Sequence, residues 1–287
     1  MTLAIDSLDD IADKFDAIVL DQWGVLHDGQ APYPGAIAAL ERLKERGKRL
    51  AVLSNSGKRA LPNRARIASM GFDVALFDVV MTSGEALWKE IAQNQAPHRT
   101  LFAVTRAPGD APSWADGLEI ALSDTLPGAD AILLMGLPDG AKESDYADLL
   151  AEAHRRKLTI LCTNPDRASP RAGGALVISP GALAHAYAEG GGPVRFYGKP
   201  HLPVFRAVAS ALAQTGPGPQ SARILMVGDS LEHDIAGAAA AGWASAFVRG
   251  GLHAAAFAKA SDVVTTLVRL AAAEDAPAPD YTIAHLE

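Results

Sequence analysis

Short apolar runs alternate with longer amphipathic segments along the chain. The runs Ala17–Leu20 and 224–227 are apolar at every position, a pattern typical of short buried strands. Segment 36–47 instead repeats apolar residues at helical spacing, with Ile37, Leu40 and Leu43 on one face, and it ends at a glycine. Strands that alternate with helices in this way predict an α/β protein with a mostly parallel sheet.

The middle of the chain has strand and helix patterns of its own. Across the whole chain, further strands are predicted at 49–53, 79–81, 100–104, 131–135, 158–162, 175–178 and 194–197, and further helices at 64–70, from about 83, at 144–157 and at 236–241. We interpret the strands between 100 and 178 as an inserted α/β domain. The Gly-Gly-Gly-Pro segment 190–193 is typical of a linker. We therefore expect the strand at 194–197 to belong to the first domain.

Two of the predicted strands end on a carboxylate. Asp21 directly follows the first apolar run, and Asp229 follows the run that ends in Gly228, with Asp234 five residues further on. Ligands of open parallel sheets bind outside the carboxyl ends of the strands, so we expect the three carboxylates to share one pocket. Clustered carboxylates repel one another unless a cation lies among them, and oxygen ligands suit Mg²⁺. The chemistry indicated is phosphoryl transfer to an aspartate.

Composition restricts the partners and the compartment. The 287 residues are 49% hydrophobic and 21% charged, enough for two globular domains, and the net charge of −7 argues against a nucleic-acid partner. No apolar stretch is long enough to span a bilayer, and the N-terminus lacks the basic start of a signal peptide. The single cysteine, Cys162, lies in an apolar run and is expected to be a buried thiol. We therefore expect a cytoplasmic protein, and a homo-oligomer is compatible with the sequence.

Six stretches, in their order along the chain, resemble those of the haloacid dehalogenase-like (HAD) hydrolase superfamily and its class IIA branch of small-molecule phosphatases. Those that resemble the superfamily are Asp21-Gln22-Trp23-Gly24-Val25-Leu26, Leu53-Ser54-Asn55-Ser56, Gly198-Lys199-Pro200 and 228–234. Those that resemble the branch are Tyr33-Pro34-Gly35-Ala36 and Thr163-Asn164-Pro165-Asp166. The resemblance covers nearly the whole chain. It implies a doubly wound parallel-sheet (Rossmann-like) core, residues 1–84 and 192–287, with an α/β cap domain, residues 85–191, inserted between the second and third stretches.

The resemblance also implies roles for the residues that bind and attack phosphate. Asp21 is expected to be the nucleophile, which forms an aspartyl-phosphate that water then hydrolyses. Ser54 and Asn55 follow a strand, where a hydroxyl and a backbone N–H can bind a phosphoryl oxygen. Lys199 is expected to neutralise charge on the phosphoryl group and on Asp21. Each residue type also has an ordinary structural role: aspartate and serine often cap helices, and lysine is usually exposed.

The implied metal site comprises Asp21, the backbone carbonyl of Trp23, Asp229 and Asp234. Among these, Asp229 is expected to be a direct ligand, and Asp234 to act through water or by supporting its loop. The cap residues Asn164 and Asp166 resemble the branch's substrate-facing loop and are expected to contribute to substrate specificity. Asn-Pro-Asp is equally a good turn sequence.

Trp23 departs from the pattern of this superfamily. Phosphatases of the superfamily have a second aspartate two residues after the nucleophile, which protonates the leaving group and later activates water. An indole cannot do this at neutral pH. His27 and Asp28 follow shortly after and are candidate substitutes, although residues on such loops are more often ordinary surface residues.

The sequence therefore predicts a Mg²⁺-dependent HAD class IIA hydrolase, a phosphatase of a small cytoplasmic phosphomonoester such as a sugar phosphate or a nucleotide-like compound. Two alternatives stay open because of Trp23. One is a hydrolase of phosphonates or of other substrates that need no protein acid. The other is a sensor of a phosphorylated metabolite with little turnover. The sequence does not identify the substrate.

Overall fold

The protein folds into two compact units. The structure is a computed structural model that describes residues 2–170, 176–216 and 223–286. The first unit comprises Met1–Ser54, Leu61–Met81 and Lys199–Glu287, and the second comprises Asn55–Ala60 and Thr82–Gly198. The chain therefore leaves the first unit twice, once for a six-residue excursion and once for the longer insertion.

Strands and helices alternate along most of the chain, as the sequence pattern predicts. The strands are β1 (Leu3–Ala4), β2 (Ala17–Leu20), β3 (Arg49–Ser54), β4 (Val79–Thr82), β5 (Thr100–Val104), β6 (Ala121–Ser123), β7 (Ala131–Leu134), β8 (Thr159–Cys162), β9 (Ala168–Pro170), β10 (Leu176–Ile178), β11 (Val194–Phe196), β12 (Ile224–Gly228), β13 (Ala244–Val248) and β14 (Tyr281–Ile283). The helices are α1 (Ala36–Glu45), α2 (Ala60–Ser69), α3 (Ser83–Ala92), α4 (Asp110–Ala115), α5 (Ala147–Arg156), α6 (Pro180–Glu189), α7 (Leu202–Gln214), α8 (Ala236–Ala241), α9 (Ala254–Phe257) and α10 (Val263–Ala273).

The first unit is built on a seven-stranded sheet. Its order is β1-β14-β13-β12-β2-β3-β4, and β12 pairs in parallel with β2 on one side and β13 on the other. Every residue of β2 and β12 is buried, which explains why both strands are apolar throughout rather than alternating. From β2 the chain proceeds to β3 and β4 in one direction, and it later returns to β12 on the other side. The strand order therefore reverses at the β2–β12 pair, where such sheets bind ligands.

Helices of the first unit bury one face each. In α1 the buried residues include Leu40 and Leu43, while the polar positions between them stay at the surface, and the helix begins after Gly35. In α7 the buried residues Val204, Phe205 and Val208 recur at helical spacing. These amphipathic helices, together with the apolar strands, form the core of the unit.

The second unit has its own parallel sheet, with the order β11-β8-β7-β5-β6. Alternate residues of its central strands enter two separate apolar clusters. Ile132 and Ile160 lie in one cluster, and Leu133 and Leu161 lie in the other. This alternation follows from the period of two residues along a strand and shows a sheet covered on both faces. β9 and β10 pair antiparallel as a separate ribbon.

The structure confirms the α/β class with mostly parallel sheets, but it corrects several details. β11 pairs with β8 in the sheet of the second unit, so the prediction that strand 194–197 belongs to the first domain was wrong. Its apolar residues Val194 and Phe196 are partly buried against a cluster of that sheet, and only this non-local pairing decides its place. Segment 55–60 likewise belongs to the second unit. The predicted strand at 175–178 begins outside the described residues, and its described part is the ribbon strand β10.

Other features agree with the sequence more closely. Cys162 is a fully buried free thiol, and burial raises its pKa to about 12. Thr82 caps α3 by accepting from the Glu85 N–H, as the run of hydroxyl and acidic residues predicts. In the part of the chain that the structure describes, no helix has the length and apolar character needed to cross a bilayer.

Candidate active site

Asp21 and Asp229 lie at the carboxyl ends of two neighbouring strands. Leu20, the last residue of β2, pairs with Val227 of β12, and the Asp21 N–H donates to the Val227 carbonyl at 2.9 Å. This register brings the residue after β2 and the residue after β12 to the same edge of the sheet. The expectation that the two aspartates share one edge is therefore met by the fold.

Lys199 joins two of the carboxylates. Its Nζ lies 2.7 Å from Asp21 Oδ1 and 2.6 Å from Asp234 Oδ1, and its side chain is almost fully buried. Asp234 is completely buried in the helical turn after β12, and its Oδ2 accepts from the Ser230 N–H at 3.1 Å. Both Asp234 oxygens are thus engaged. This arrangement gives Asp234 a clear structural task, which is to hold the lysine ammonium against Asp21.

Asp229 is held by backbone from two loops. Its Oδ2 accepts from the Leu252 N–H at 2.7 Å. Gly24 packs against the same carboxylate so closely that a Cβ at that position would overlap it, and Gly24 also has a φ of +78°. Both the close approach and the backbone conformation require glycine here. Gly24, read from sequence only as part of the first motif, therefore shapes the carboxylate site.

The three carboxylates form a group that fits a divalent cation. One oxygen from each of Asp21, Asp229 and Asp234 lies within 4.8 Å of the others. The group comprises these three carboxylates and the Lys199 ammonium, so it has a formal excess of two negative charges. Hard oxygen donors with this excess charge match Mg²⁺ or Ca²⁺ rather than a thiolate- or imidazole-binding metal.

The pKa values of the site residues reflect the burial of the carboxylates and their closeness to one another. Burial, aided by the charges of Asp21 and Asp234, raises the pKa of Asp229 to about 8. Burial also raises the pKa of Asp21, and the nearby Lys199 only partly opposes this. Burial alone would lower the pKa of Lys199, but Asp21 and Asp234 outweigh it and hold that pKa above its usual value. Without a cation, ionisation of Asp21 and Asp229 is therefore disfavoured.

The loop after Asp21 contains Trp23 and the two candidate substitute acids. The Trp23 side chain is 48% exposed and packs on Gly29, where a Cβ would lie 2.9 Å from the indole Nε1. His27 is buried, its Nδ1 accepts from the Gly29 N–H at 3.1 Å, and burial lowers its pKa to about 4. Asp28 Oδ1 accepts hydrogen bonds from two backbone N–H groups of its own loop, those of Ala31 and Gln30. These two hydrogen bonds lower the pKa of Asp28. Both side chains thus make loop contacts.

The remaining predicted residues divide between the two units. Ser54 ends β3, two strands along from β12 in the first sheet. Asn55, Asn164 and Asp166 belong to the second unit and contact one another: Asn55 Nδ2 donates to Asp166 Oδ1 at 2.7 Å, and the Asp166 N–H donates to Asn164 Oδ1 at 3.1 Å. The Asn-Pro-Asp segment is therefore a turn that is bonded to the residue directly after Ser54.

Sequence reasoning missed two features around the carboxylates. Leu252 comes after β13, a strand that was not predicted, and contributes a backbone N–H that no side-chain pattern reveals. Tyr33 is half-buried, and burial together with the Asp229 charge raises the pKa of its phenol. Only the three-dimensional arrangement shows that Leu252 contacts Asp229 and that the Asp229 charge affects the Tyr33 phenol.

The fold is an open α/β sheet with a cluster of aspartates at one edge, and comparisons with known proteins identify its family. A family model for haloacid dehalogenase-like hydrolases matches residues 18–111, and a second, HAD-hydrolase-like, model matches residues 196–286. Together the two models match more than half of the chain. The chain belongs to the haloacid dehalogenase-like hydrolases and, among them, to class IIA.

Individual relatives agree with this assignment. Chronophin from Bos taurus is 28% identical over 80% of this chain and 79% of its own length. A haloacid dehalogenase-like hydrolase from Brucella suis 1330 is 30% identical, with a TM-score of 0.81 over 99% of this chain and 100% of that structure. A glycerol phosphate phosphatase from Mycobacterium tuberculosis, solved with magnesium, is 26% identical, with a TM-score of 0.67 over 87% of this chain and 73% of that one. The protein is thus a HAD-type hydrolase, in a branch that includes named phosphatases.

Proposed function

We propose that the protein is a Mg²⁺-dependent phosphatase of a small phosphomonoester that works through an aspartyl-phosphate on Asp21. The observation that carries this proposal is the contact of Asp21 with Lys199 at the strand-order reversal, with Asp229 and Asp234 beside them. Asp21 is a carboxylate 16% exposed, paired with a buried ammonium, at the edge of the sheet where such folds bind ligands. It suits a nucleophile that must receive an anionic group.

In this mechanism the chain's own residues perform the first step. A carboxylate oxygen of Asp21 attacks phosphorus while the bond from phosphorus to the ester oxygen breaks. Lys199 stabilises the phosphoryl oxygens, and Asp234 keeps its ammonium in place. Ser54 and the backbone N–H of Asn55, at the end of β3, bind phosphoryl oxygens. Water then attacks phosphorus in the acyl phosphate, which releases phosphate and restores the Asp21 carboxylate.

The metal would be held by Asp21, Asp229 and the backbone carbonyl of Trp23, with Asp234 in support. Mg²⁺ supplies charge neutralisation, which lets an anionic phosphate approach an anionic aspartate. The two excess negative charges of the carboxylate group and the magnesium in the mycobacterial relative support this identity. Asp229, whose pKa is raised to about 8, would be ionised by the bound cation.

The substrate is a small phosphorylated metabolite, and the second unit is its specificity element. The glycerol phosphate named for the mycobacterial relative supports a compact substrate. In this unit Asn164 and Asp166 act together, since they share one hydrogen-bonded turn with Asn55.

The test is turnover of a panel of phosphomonoesters by the purified protein with Mg²⁺ and then with EDTA. We expect phosphate release that EDTA abolishes and that added Mg²⁺ restores. Acid quenching during turnover should trap phosphate on the chain, and peptide mapping should locate it at Asp21. Turnover that persists unchanged in EDTA, or phosphate trapped on a different residue, would contradict the proposal.

A further inference from the structure

Gln22 directly follows Asp21 in the chain, and its side chain is buried. Its Nε2 donates to Asn63 Oδ1 at 2.7 Å, and the two residues are only 5% and 8% exposed. Asn63 lies on α2, and both residues belong to the first unit. This hydrogen bond therefore ties the residue after Asp21 to a helix of the same unit.

The backbone of Gln22 fixes the turn that follows Asp21. Its carbonyl accepts from the Leu26 N–H at 2.8 Å and from the His27 N–H at 3.1 Å. On the preceding side, the Asp21 N–H donates to the Val227 carbonyl of β12. The backbone of Asp21 is therefore held by the sheet before it and by the contacts of Gln22 after it.

The side-chain bond of Gln22 restricts the direction of the Asp21 side chain. With its Nε2 held by Asn63, Gln22 keeps the peptide unit between it and Asp21 in one orientation. This orientation sets the direction of the Asp21 Cα–Cβ bond. Lys199 holds Oδ1 at the far end of the same side chain, at 2.7 Å. Alignment of the other carboxylate oxygen depends on both ends being fixed.

We propose that Gln22 and Asn63 form a positioning pair for the nucleophile, whose hydrogen bond holds the Asp21 backbone so that a carboxylate oxygen lies in line with the phosphorus of the substrate. This inference rests on the proposed function, and neither residue of the pair acts on the substrate directly. A displacement of reacting groups by about 1 Å can lower the rate by about 100-fold. Lys199 is also held by Asp234, so loss of the pair should impair phosphoryl transfer more than phosphate binding.

The first experiment separates positioning from stability by using apolar side chains of similar shape. Gln22→Met leaves the buried Asn63 amide without its partner, whereas Gln22→Met combined with Asn63→Leu removes both polar groups. An unpaired buried group lowers stability, but replacement of both partners can be nearly neutral. The melting temperature in EDTA should therefore fall in the single variant and recover in the double variant. kcat/KM should fall roughly 10-fold in both, because neither retains the hydrogen bond.

Thr282→Val is the matched control for loss of one buried hydrogen bond. Thr282 is fully buried in the sheet of the same unit, and its hydroxyl donates to the Phe247 carbonyl at 3.1 Å. This variant should be less stable but keep kcat/KM within a few-fold of wild type. An equal fall of kcat/KM in the control overturns the inference, because loss of any buried hydrogen bond would then suffice.

The double variant decides between a positioning role and a purely structural one. Wild-type kcat/KM in the stable double variant overturns the inference, since the pair would then serve stability alone. Unchanged kcat/KM in a less stable Gln22→Met overturns it for the same reason. If the single variant does not fold, the double variant and the control carry the test.

Two anions separate alignment of Asp21 from phosphate binding. Beryllium trifluoride mimics a phosphoryl group and bonds to an aspartate oxygen, whereas inorganic phosphate binds without forming that bond. Calorimetry with Mg²⁺ should show beryllium trifluoride binding roughly 10-fold more weakly to the double variant than to wild type, with phosphate affinity changed less. Equal weakening for both anions would show a general distortion of the site and overturns the inference.

These anions also keep failure of the inference distinct from failure of the proposed function. Should the wild type hydrolyse no phosphomonoester with Mg²⁺, the phosphatase proposal is wrong. Selective loss of beryllium trifluoride binding in the double variant would still support the positioning pair. Wild-type protein that does not bind beryllium trifluoride overturns it, because no aspartate oxygen would then be positioned to receive a phosphoryl group.

Discussion

Asp21→Asn is expected to abolish turnover while making the metal-free protein more stable. Asparagine is nearly isosteric with aspartate but is a far weaker nucleophile. In the folded protein the Asp21 carboxylate lies 2.7 Å from the Lys199 ammonium and within 4.8 Å of oxygens of Asp229 and Asp234. The substitution therefore removes one attraction, two repulsions and one buried charge.

The structure allows the sizes of these interactions to be compared. With an effective dielectric constant of about 20, the contact with Lys199 is worth about 6 kcal/mol of attraction, and each carboxylate pair at least about 3 kcal/mol of repulsion. The two repulsions thus offset the attraction, and the cost of burying the Asp21 charge remains. The raised pKa of Asp21 likewise indicates that the ionised Asp21 carboxylate is unfavourable in the folded protein. We expect the variant to gain about 1–2 kcal/mol of unfolding free energy without metal, or a melting temperature about 2–4 °C higher.

The pH of the measurement follows from the direction of the pKa shift. A carboxyl whose pKa is raised by folding binds more protons in the folded state, so stability falls as pH rises from the unfolded toward the folded pKa. The comparison is therefore made at about pH 9, above the pKa of about 8 of Asp229, where the neighbouring Asp229 carboxylate is ionised in the wild type. Urea denaturation in EDTA gives the unfolding free energy, and Glu119→Gln, at an exposed position, is the control for loss of one negative charge.

Added Mg²⁺ should reverse the order of stability. The wild type binds the cation more tightly than the variant, and ligand binding to the folded state adds to its stability. A variant that is less stable than wild type in EDTA by more than about 1 kcal/mol would show that the Lys199 contact dominates and that the electrostatic reasoning is wrong. Turnover of the variant within a few-fold of wild type would rule out the aspartyl-phosphate.

Three further substitutions test neighbouring parts of the site. Lys199→Met should lower the unfolding free energy in EDTA by about 3–5 kcal/mol, because it leaves buried carboxylates uncompensated, and calorimetric denaturation should show partial recovery with Mg²⁺. Gly24→Ala should cost more than Gly71→Ala in urea denaturation by about 1–3 kcal/mol, because both glycines have positive φ but only the first would overlap a neighbouring carboxylate; equal costs would argue against that overlap. Asp166→Ala should lower kcat/KM for all phosphate esters by a similar factor if its bond to Asn55 is its function, and by substrate-dependent factors if it contacts the leaving group.

The sequence alone determined the elements whose residues carry their own signal. β2 and β12 are buried on both faces, so their residues are uniformly apolar and the following aspartates stand out. Because parallel strands that neighbour each other end at one edge, the proximity of Asp21 and Asp229 could be predicted without coordinates. The departure at Trp23 was equally visible, since an indole cannot replace a carboxyl in acid–base chemistry.

Only the tertiary structure decided the features that depend on contacts between distant segments. The strand β11 follows a glycine-rich segment that resembles a linker, yet its pairing with β8 places it in the second unit. The engagement of both Asp234 oxygens, by Lys199 and by the Ser230 N–H, depends on a buried side chain reaching across from another segment. The packing of Gly24 against Asp229 and the hydrogen bond from the Leu252 N–H to the same carboxylate depend on where the loops after β2 and β13 lie. Whether a segment forms a strand depends on the local periodicity of its apolar residues. The contacts described above join residues far apart in the chain, and only the packed fold brings them together.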